Sequence, residues 1–278
     1  MPMLANPDSP SLAPAAALPR RIGVFDSGVG GLSVLRAIQA ALPTAELLYA
    51  ADTAHVPYGD RSEEFIVERS QRIAGFLRDQ GAQLIVVACN TATAAAVAAL
   101  RAQADALPIV GVEPGIKPAL AASRSQRVGV LATTRTLASE KFRRLAQAHA
   151  GDATLVLQPC PGLADAIEHA DSAGTGLDVL VERYCAPLRA AAVDVAVLGC
   201  THYPFALDLF ERALPGVTLI DTADAVARQA ARLSSELEPA HETPGKALRA
   251  WSSGEPGDVA RFAQRWLGMA LGVQPMKV

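Results

Sequence analysis

Leu84-Ile85-Val86-Val87-Ala88-Cys89-Asn90-Thr91 decides how this chain folds, because its character changes at a single point. The apolar, β-branched start suits a strand buried on both faces. Asn90 and Thr91 then open an Ala-rich stretch that reaches Leu100 and suits a helix. The same change recurs at Val195-Ala196-Val197-Leu198-Gly199-Cys200-Thr201-His202, again at a cysteine. Working outward, short β-branched runs alternate with longer helical patterns from Arg21 onward, the signature of βαβ units and a mainly parallel α/β fold.

Strands are expected at Ile22 to Phe25, Leu47 to Ala50, Leu84 to Ala88, Ile109 to Val112, Val128 to Leu131, Thr154 to Leu157, Val195 to Leu198 and Val217 to Ile220. Between them, Arg61 to Gln80 carries Ile66, Ile73, Phe76 and Leu77 on one face, with Asp60 and Glu63 placed to cap its start. Arg21-Ile22-Gly23-Val24-Phe25 is echoed by Arg127-Val128-Gly129-Val130-Leu131, at an offset similar to that between the two cysteine stretches. Two such matches suggest two related α/β halves that face each other with equivalent cysteines.

The 278 residues, half of them apolar, suffice for one large domain or two small ones. With 25 basic and 28 acidic residues and no extended basic patch, nucleic acid is not expected as a main partner. Cys89, Cys160, Cys185 and Cys200 are too few and too scattered for a disulfide framework, which points to reduced thiols in the cytoplasm. Residues 1–20 have neither a basic start nor an unbroken apolar run, so a disordered extension is expected there rather than a signal peptide. No membrane span is indicated, since the longest uncharged apolar stretch is interrupted by Asn90, Thr91 and Thr93.

Both Cys89 and Cys200 end a strand and precede an expected helix start, where open α/β sheets place ligands. Free backbone N–H groups there bind carboxylates and favour a thiolate. A lone cysteine in such a place is more often an inert core residue. Two in matched settings point to chemistry. Reversing the configuration of an amino acid requires a base on one face of Cα and an acid on the other, and thiols titrate near enough to working pH to serve as both. The negative charge that develops on the substrate carboxylate needs donors, for which Asn90, Thr91 and Thr201 are candidates.

Asp26-Ser27-Gly28-Val29-Gly30-Gly31 follows the first strand, but it lacks the spacing of a phosphate-binding glycine loop. An aspartate there would repel phosphate; it suits a substrate ammonium or a catalytic thiol. His202, two residues after Cys200, reads as an acid/base assistant or a packed structural histidine, and no further ligands stand at zinc spacing. None of Lys117, Lys141, Lys246 and Lys277 lies in these constellations, so nothing points to a pyridoxal phosphate Schiff base.

Beyond these single features, ordered blocks closely resemble the glutamate racemases of the aspartate/glutamate racemase superfamily. They are Gly23 to Leu35, Ala51-Asp52-Thr53 with Pro57 to Arg61, Ala88 to Ala92, Gly111 to Pro114 and Leu198 to Pro204, with a tail echo at Ser253 to Pro256. The resemblance runs from about Arg21 to the C-terminus. It implies two α/β domains, residues 21–112 plus 223–278 and residues 113–222, with the active site in the cleft between them and chain crossings near Val112 and Thr222. It implies L- and D-glutamate as substrates, no cofactor and no metal, a homodimer, and D-glutamate supplied for peptidoglycan. It further implies that Cys89, assisted by Asp26, acts on the D-enantiomer and that Cys200, assisted by His202, acts on the L-enantiomer. Substrate contacts are implied for Asp26, Ser27, Tyr58, Gly59, Asn90, Thr91, Thr133, Thr136, Thr201 and His202, with Asp52 and Glu168 as auxiliary acids. Arg135, between the two threonines, stands where many members carry a small residue.

Two other readings compete. A racemase for aspartate would use the same pair of thiols, although the blocks around Asp26-Ser27 and Pro57-Tyr58-Gly59 favour glutamate. A two-lobed binding module would capture a dicarboxylic amino acid with no need for opposed thiols.

Overall fold

The computed structural model describes residues 20–103, 107–170, 176–238 and 247–278. Apart from Arg20, the extension expected at residues 1–20 lies outside the described residues. The strands are β1 (Arg21–Asp26), β2 (Glu46–Ala51), β3 (Leu84–Val87), β4 (Ile109–Gly111), β5 (Arg127–Ala132), β6 (Thr154–Pro159), β7 (Val195–Gly199), β8 (Thr218–Ile220), β9 (Leu248–Ser252) and β10 (Val273–Pro275). The helices are α1 (Leu32–Ala41), α2 (Glu63–Asp79), α3 (Asn90–Arg101), α4 (Ile116–Ala122), α5 (Thr134–Ala138), α6 (Glu140–His149), α7 (Leu163–His169), α8 (Leu177–Ala190), α9 (Leu207–Ala213), α10 (Ala223–Ser234) and α11 (Pro256–Leu267).

Two sheets result, ordered β10-β9-β2-β1-β3-β4 and β6-β5-β7-β8, and every strand pairing is parallel. The order β2-β1-β3-β4 in one sheet is repeated as β6-β5-β7-β8 in the other, so the internal similarity of the sequence corresponds to a repeated topology. All eight expected strands form. The additional two, β9 and β10, continue the first sheet beyond β2. Neither has a strand-like apolar run: β9 carries Arg249 at its second position, and β10 is three residues ending in proline. Arg249 is accommodated because its Nε donates to Glu46 Oε1 at 3.0 Å and its guanidinium lies over the Trp251 ring at 5.4 Å.

Alternation along the strands sorts the cores. Ile22, Val24, Leu47, Tyr49, Leu84 and Val86 face one way, into the core that holds Leu32, Leu35 and Ile38 of α1 and Val226, Ala227 and Ala230 of α10. Phe25, Leu48, Ala50, Ile85 and Val87 face the other way, into the core shared with Ile66, Ile73 and Leu77 of α2 and Ala92 and Val97 of α3. One face of the second sheet contributes Leu131, Ala196 and Leu198 to the first of these cores, so a single apolar cluster runs through both halves. Helix α2 starts later than its pattern suggests. Its cap is Ser62, whose hydroxyl accepts from the Phe65 N–H at 3.2 Å, rather than Asp60 or Glu63. Glu63 lies in the first turn, and a hydroxyl one residue earlier reaches the free N–H groups.

Phe205, in the turn after β7, meets Phe262 of α11 edge to face, with centroids 4.9 Å apart and planes at 88°. Residues that follow a strand of one sheet are thereby packed on a helix that connects two strands of the other. Phe262→Ala is expected to cost about 3–5 kcal/mol. Urea unfolding will read this as a lower midpoint, and the double variant with Phe205→Ala will fall short of the sum of the two losses, because one contact is being removed twice.

Candidate active site

In each sheet the strand order reverses at the first strand of the repeat, and ligands of open α/β sheets collect outside the strand ends at such switch points. β1 lies beside β3 with Phe25 opposite Val87, which brings Asp26 next to Ala88 and Cys89. β5 lies beside β7 with Ala132 opposite Gly199, which brings Thr133 next to Cys200. The two sequence-predicted cysteines therefore stand at equivalent strand ends, and both are buried with free thiols.

Their local settings differ. Cys89 is the N-cap of α3: its Sγ accepts from the Ala92 N–H at 3.4 Å and lies 3.4 Å from Ser27 Oγ. Asp26 is completely buried, and its Oδ2 accepts from the Gly31 N–H at 2.8 Å. Burial raises the Asp26 pKa, against the pull of His202 and of the Gly31 amide. Burial also raises the Cys89 thiol, followed by the charge of Asp26, and Cys200 is near enough to add to the effect. An undisturbed Cys89 is therefore held as the thiol.

Cys200 does not start a helix as expected. A turn and the 3-10 segment Tyr203–Ala206 intervene before α9. In place of a helix end, Cys200 has His202, whose Nδ1 lies 3.8 Å from Cys200 Sγ and whose Nε2 lies 3.0 Å from Glu168 Oε2. Burial disfavours protonation of His202, yet its interactions with Cys200 and Glu168 outweigh that and hold its pKa well above the usual imidazole value. Glu168, an acid of uncertain duty in the sequence, is thus the partner that orients the imidazole.

The glycine loop after β1 lies directly against this group. A Cβ on Gly30 would fall 2.4 Å from His202 Nδ1 and 2.7 Å from Thr201 Oγ1, and a Cβ on Gly28 would fall 2.8 Å from Glu168 Oε2. Ser33 Oγ lies within hydrogen-bond distance of Gly30 O (2.8 Å) and Thr201 O (3.0 Å), tying α1 to the turn after β7. Ser33 and Gly30 are not among the site residues expected from the sequence; there they are only two more positions in the Gly23 to Leu35 block.

The hydroxyls form a third group. Thr91 Oγ1 lies 3.1 Å from Thr133 Oγ1, which donates to Thr136 Oγ1 at 2.9 Å, so α3 of one half and α5 of the other meet there. Tyr58 and Gly59 flank it from a loop that Asp52 anchors. Tyr58 donates its hydroxyl proton to Asp52 Oδ2 at 2.6 Å, and Arg69 holds both oxygens of the same carboxylate at 3.0 and 2.8 Å. Asp52 also faces His55 Nδ1 at 3.0 Å, so its capacity is spent on protein partners and it braces the loop. Arg69, which sequence reasoning missed, is the cation of this brace. Two buried polar atoms at the strand ends have no protein partner: Asp26 Oδ1 is an acceptor and Asn90 Nδ2 a donor. An acceptor and a donor set apart in one cleft suit the ammonium and carboxylate of an amino acid.

The comparisons with known proteins give the family. The profile of the Asp/Glu/hydantoin racemase family matches residues 22–230. The chain is 51% identical over 254 residues to the glutamate racemase of Ectopseudomonas mendocina, covering 91% of this chain and 95% of the relative. The chain belongs to this family, among its glutamate racemases. It is thus an enzyme of the isomerase class. Its fold matches the crystal structure of Escherichia coli glutamate racemase in complex with L-glutamate and the activator UDP-MurNAc-Ala, with a TM-score of 0.82, 33% identity, and 92% and 97% of the two chains covered. It also matches Francisella tularensis glutamate racemase in complex with D-glutamate, with a TM-score of 0.80, 27% identity, and 93% and 97% covered. The α/β architecture expected from the alternating pattern is that of these racemases.

Two predictions test the site's supports. Asp52→Asn leaves Arg69 buried without its anion and is expected to cost about 3–5 kcal/mol at neutral pH by chemical denaturation. Burial alone would raise the Asp52 pKa, but the Arg69 and Tyr58 hydrogen bonds bring it below the ordinary 3.8. The wild-type advantage is therefore full above that value and fades as the pH falls through the lower, folded-state pKa. Glu168→Gln is expected to lower the His202 pKa, read from the imidazole proton shifts in an NMR titration. Because the folded pKa of His202 is raised, the pair's contribution is complete below the unfolded value of 6.5 and is lost as the pH rises through the folded one.

Proposed function

We propose that this enzyme interconverts L- and D-glutamate without a cofactor, using Cys89 and Cys200 as a pair of acid–base thiols. The observation that carries this reading is that two buried cysteines stand at equivalent strand ends, each with its own titratable partner, Asp26 on one side and His202 on the other. For L-glutamate, a thiolate at Cys200 takes the Cα proton. The electron pair left on Cα delocalises into the substrate carboxylate, and the Cys89 thiol returns a proton to the opposite face. Cys200 is then the thiol and Cys89 the thiolate, the arrangement from which D-glutamate is turned over in the reverse direction.

The remaining residues have complementary tasks in this reading. Asp26 Oδ1, unpaired and buried, receives the ammonium, which also offsets the Asp26 charge that adds to burial in holding Cys89 protonated. Asn90 Nδ2 and the hydroxyls of Thr91, Thr136 and Thr201 donate to the substrate carboxylates, with Thr133 contacting them from the same cluster; charge grows on the α-carboxylate in the transition state. Ser27 steadies the Cys89 sulfur at 3.4 Å, and Tyr58 and Gly59 border the cleft from the braced loop. The chain crosses between the two halves near Val112 and Thr222 in this reading. The glutamate assignment draws on the relatives: those from E. coli and F. tularensis hold L- and D-glutamate. By the same resemblance the enzyme acts as a cytoplasmic homodimer whose D-glutamate goes to peptidoglycan. Among the described residues no helix is long and apolar enough to cross a membrane.

The test is isotope exchange in D₂O without added cofactor. Wild type is expected to incorporate deuterium at Cα and to racemise both enantiomers, while Cys89→Ser and Cys200→Ser each lose about 10²–10⁴-fold in turnover. Full turnover with either cysteine removed, or no exchange by wild type, would overturn the mechanism. Faster turnover of aspartate than of glutamate would overturn the substrate.

A further inference from the structure

Outward from the Thr91–Thr133–Thr136 hydroxyls lies a cavity of about 430 Å³, within the size range of small-ligand sites. Gly59 and Glu63 line it from one half together with Ala94 and Ala95 of α3, and Arg135 of α5 and Arg143 of α6 line it from the other. The lining of this cavity adjoins the hydroxyl cluster: a Cβ on Gly59 would lie 3.9 Å from Thr133 Cβ. Ala94 and Ala95 stand three and four residues after Thr91, so they cover the same face of α3 one turn further out. Arg135 is the immediate neighbour of Thr136, and Gly59 borders both spaces.

The charges in this cavity are unequal in availability. Arg143 is engaged by Glu140, which also engages Arg144. Arg135 forms no ion pair among the described residues, and its Nε is buried with no hydrogen-bond partner. Its charge reaches the other half: Glu64, whose carboxyl is held low chiefly by its own backbone amide and by Ser62, also feels Arg135. A guanidinium whose Nε has no partner, set in a cavity beside the threonine hydroxyls, matches a carboxylate in geometry as well as in sign.

We propose that Arg135 forms an entry subsite for the dicarboxylate substrate, taking a carboxylate in this outer cavity before the amino acid passes to the two thiols. This rests on the racemase reading above. Arg135 does not touch Cα or either sulfur, so it raises the local concentration of the anion and leaves the proton transfers unchanged. Its loss should therefore appear in KM and spare kcat.

The experiment compares wild type, R135A, R135K and R135E with L- and D-glutamate over a range of ionic strength, using Tm to confirm folding. R135A is expected to lower kcat/KM about threefold to tenfold at low salt with kcat retained, and the gap should narrow as salt screens the charge. R135E should fall below R135A. R135K, which keeps the charge but not the fork, should recover most of the loss and thereby separate charge from packing. An R135A or R135E enzyme with wild-type kcat/KM at low salt would overturn the proposal, as would a loss confined to kcat or one indifferent to salt. Inactive wild type would instead remove the racemase reading, and the same assay reports it.

Discussion

A Cβ on Gly30 would lie 2.4 Å from His202 Nδ1, so the backbone of one half has to meet the imidazole of the other with no side chain between them. That close approach sets the separation of the two sheets' strand ends, and the rest of the site follows from it. Ser33 bridges the same seam by its contact with Thr201 O, and Gly28 leaves room for the Glu168 carboxylate that orients His202. The continuous apolar core beneath the seam, together with the Phe205–Phe262 contact, keeps the halves from sliding past each other. Close packing makes such an arrangement discrete rather than adjustable, since a displacement of one methylene's width is felt throughout a dense interior.

Within that frame the repeated topology places two like groups in unlike surroundings. Cys89 caps a helix beside a buried carboxylate, and Cys200 follows a strand beside an imidazole paired with a second carboxylate. Symmetry of the sheets delivers the sulfurs to equivalent positions. The neighbouring charges are not symmetric: a carboxylate stands beside Cys89 and an imidazole beside Cys200. The Asp52–Arg69–Tyr58 brace has a mechanical role, holding the loop that carries Tyr58 and Gly59.

Much of this was legible in the chain. Eight strands showed as β-branched runs, most of them because parallel strands buried on both faces need continuous apolar sequence; β6 and β8 are the more exposed. The cysteines and Asp26 stood out because each stands at the end of such a run, and His202 because it follows Cys200 two residues later. What escaped notice has common causes. β9 and β10 are held by partners distant in sequence, such as Glu46 for Arg249, so their own residues carry little strand signal. The cap of α2 moved to Ser62 because several candidates were adjacent and only the backbone path selects among them. Arg69 sits in a helix as one arginine among several, and nothing local marks it as the partner of Asp52.

Sequence by itself determined the local physics: which runs extend, which coil into helices, where polar residues interrupt them, and that two thiols occupy repeated settings. Only the tertiary structure decided which side chains share a proton, a charge or a cavity. Glu168 meets His202, Thr91 meets Thr133, and Arg135 faces an outer cavity through contacts between segments far apart in the chain. Periodicity reports which side of an element is buried, because burial acts on each residue separately. Hydrogen bonds and ion pairs depend on distances of a few ångströms between two residues, and those distances exist only once both sheets have been packed together.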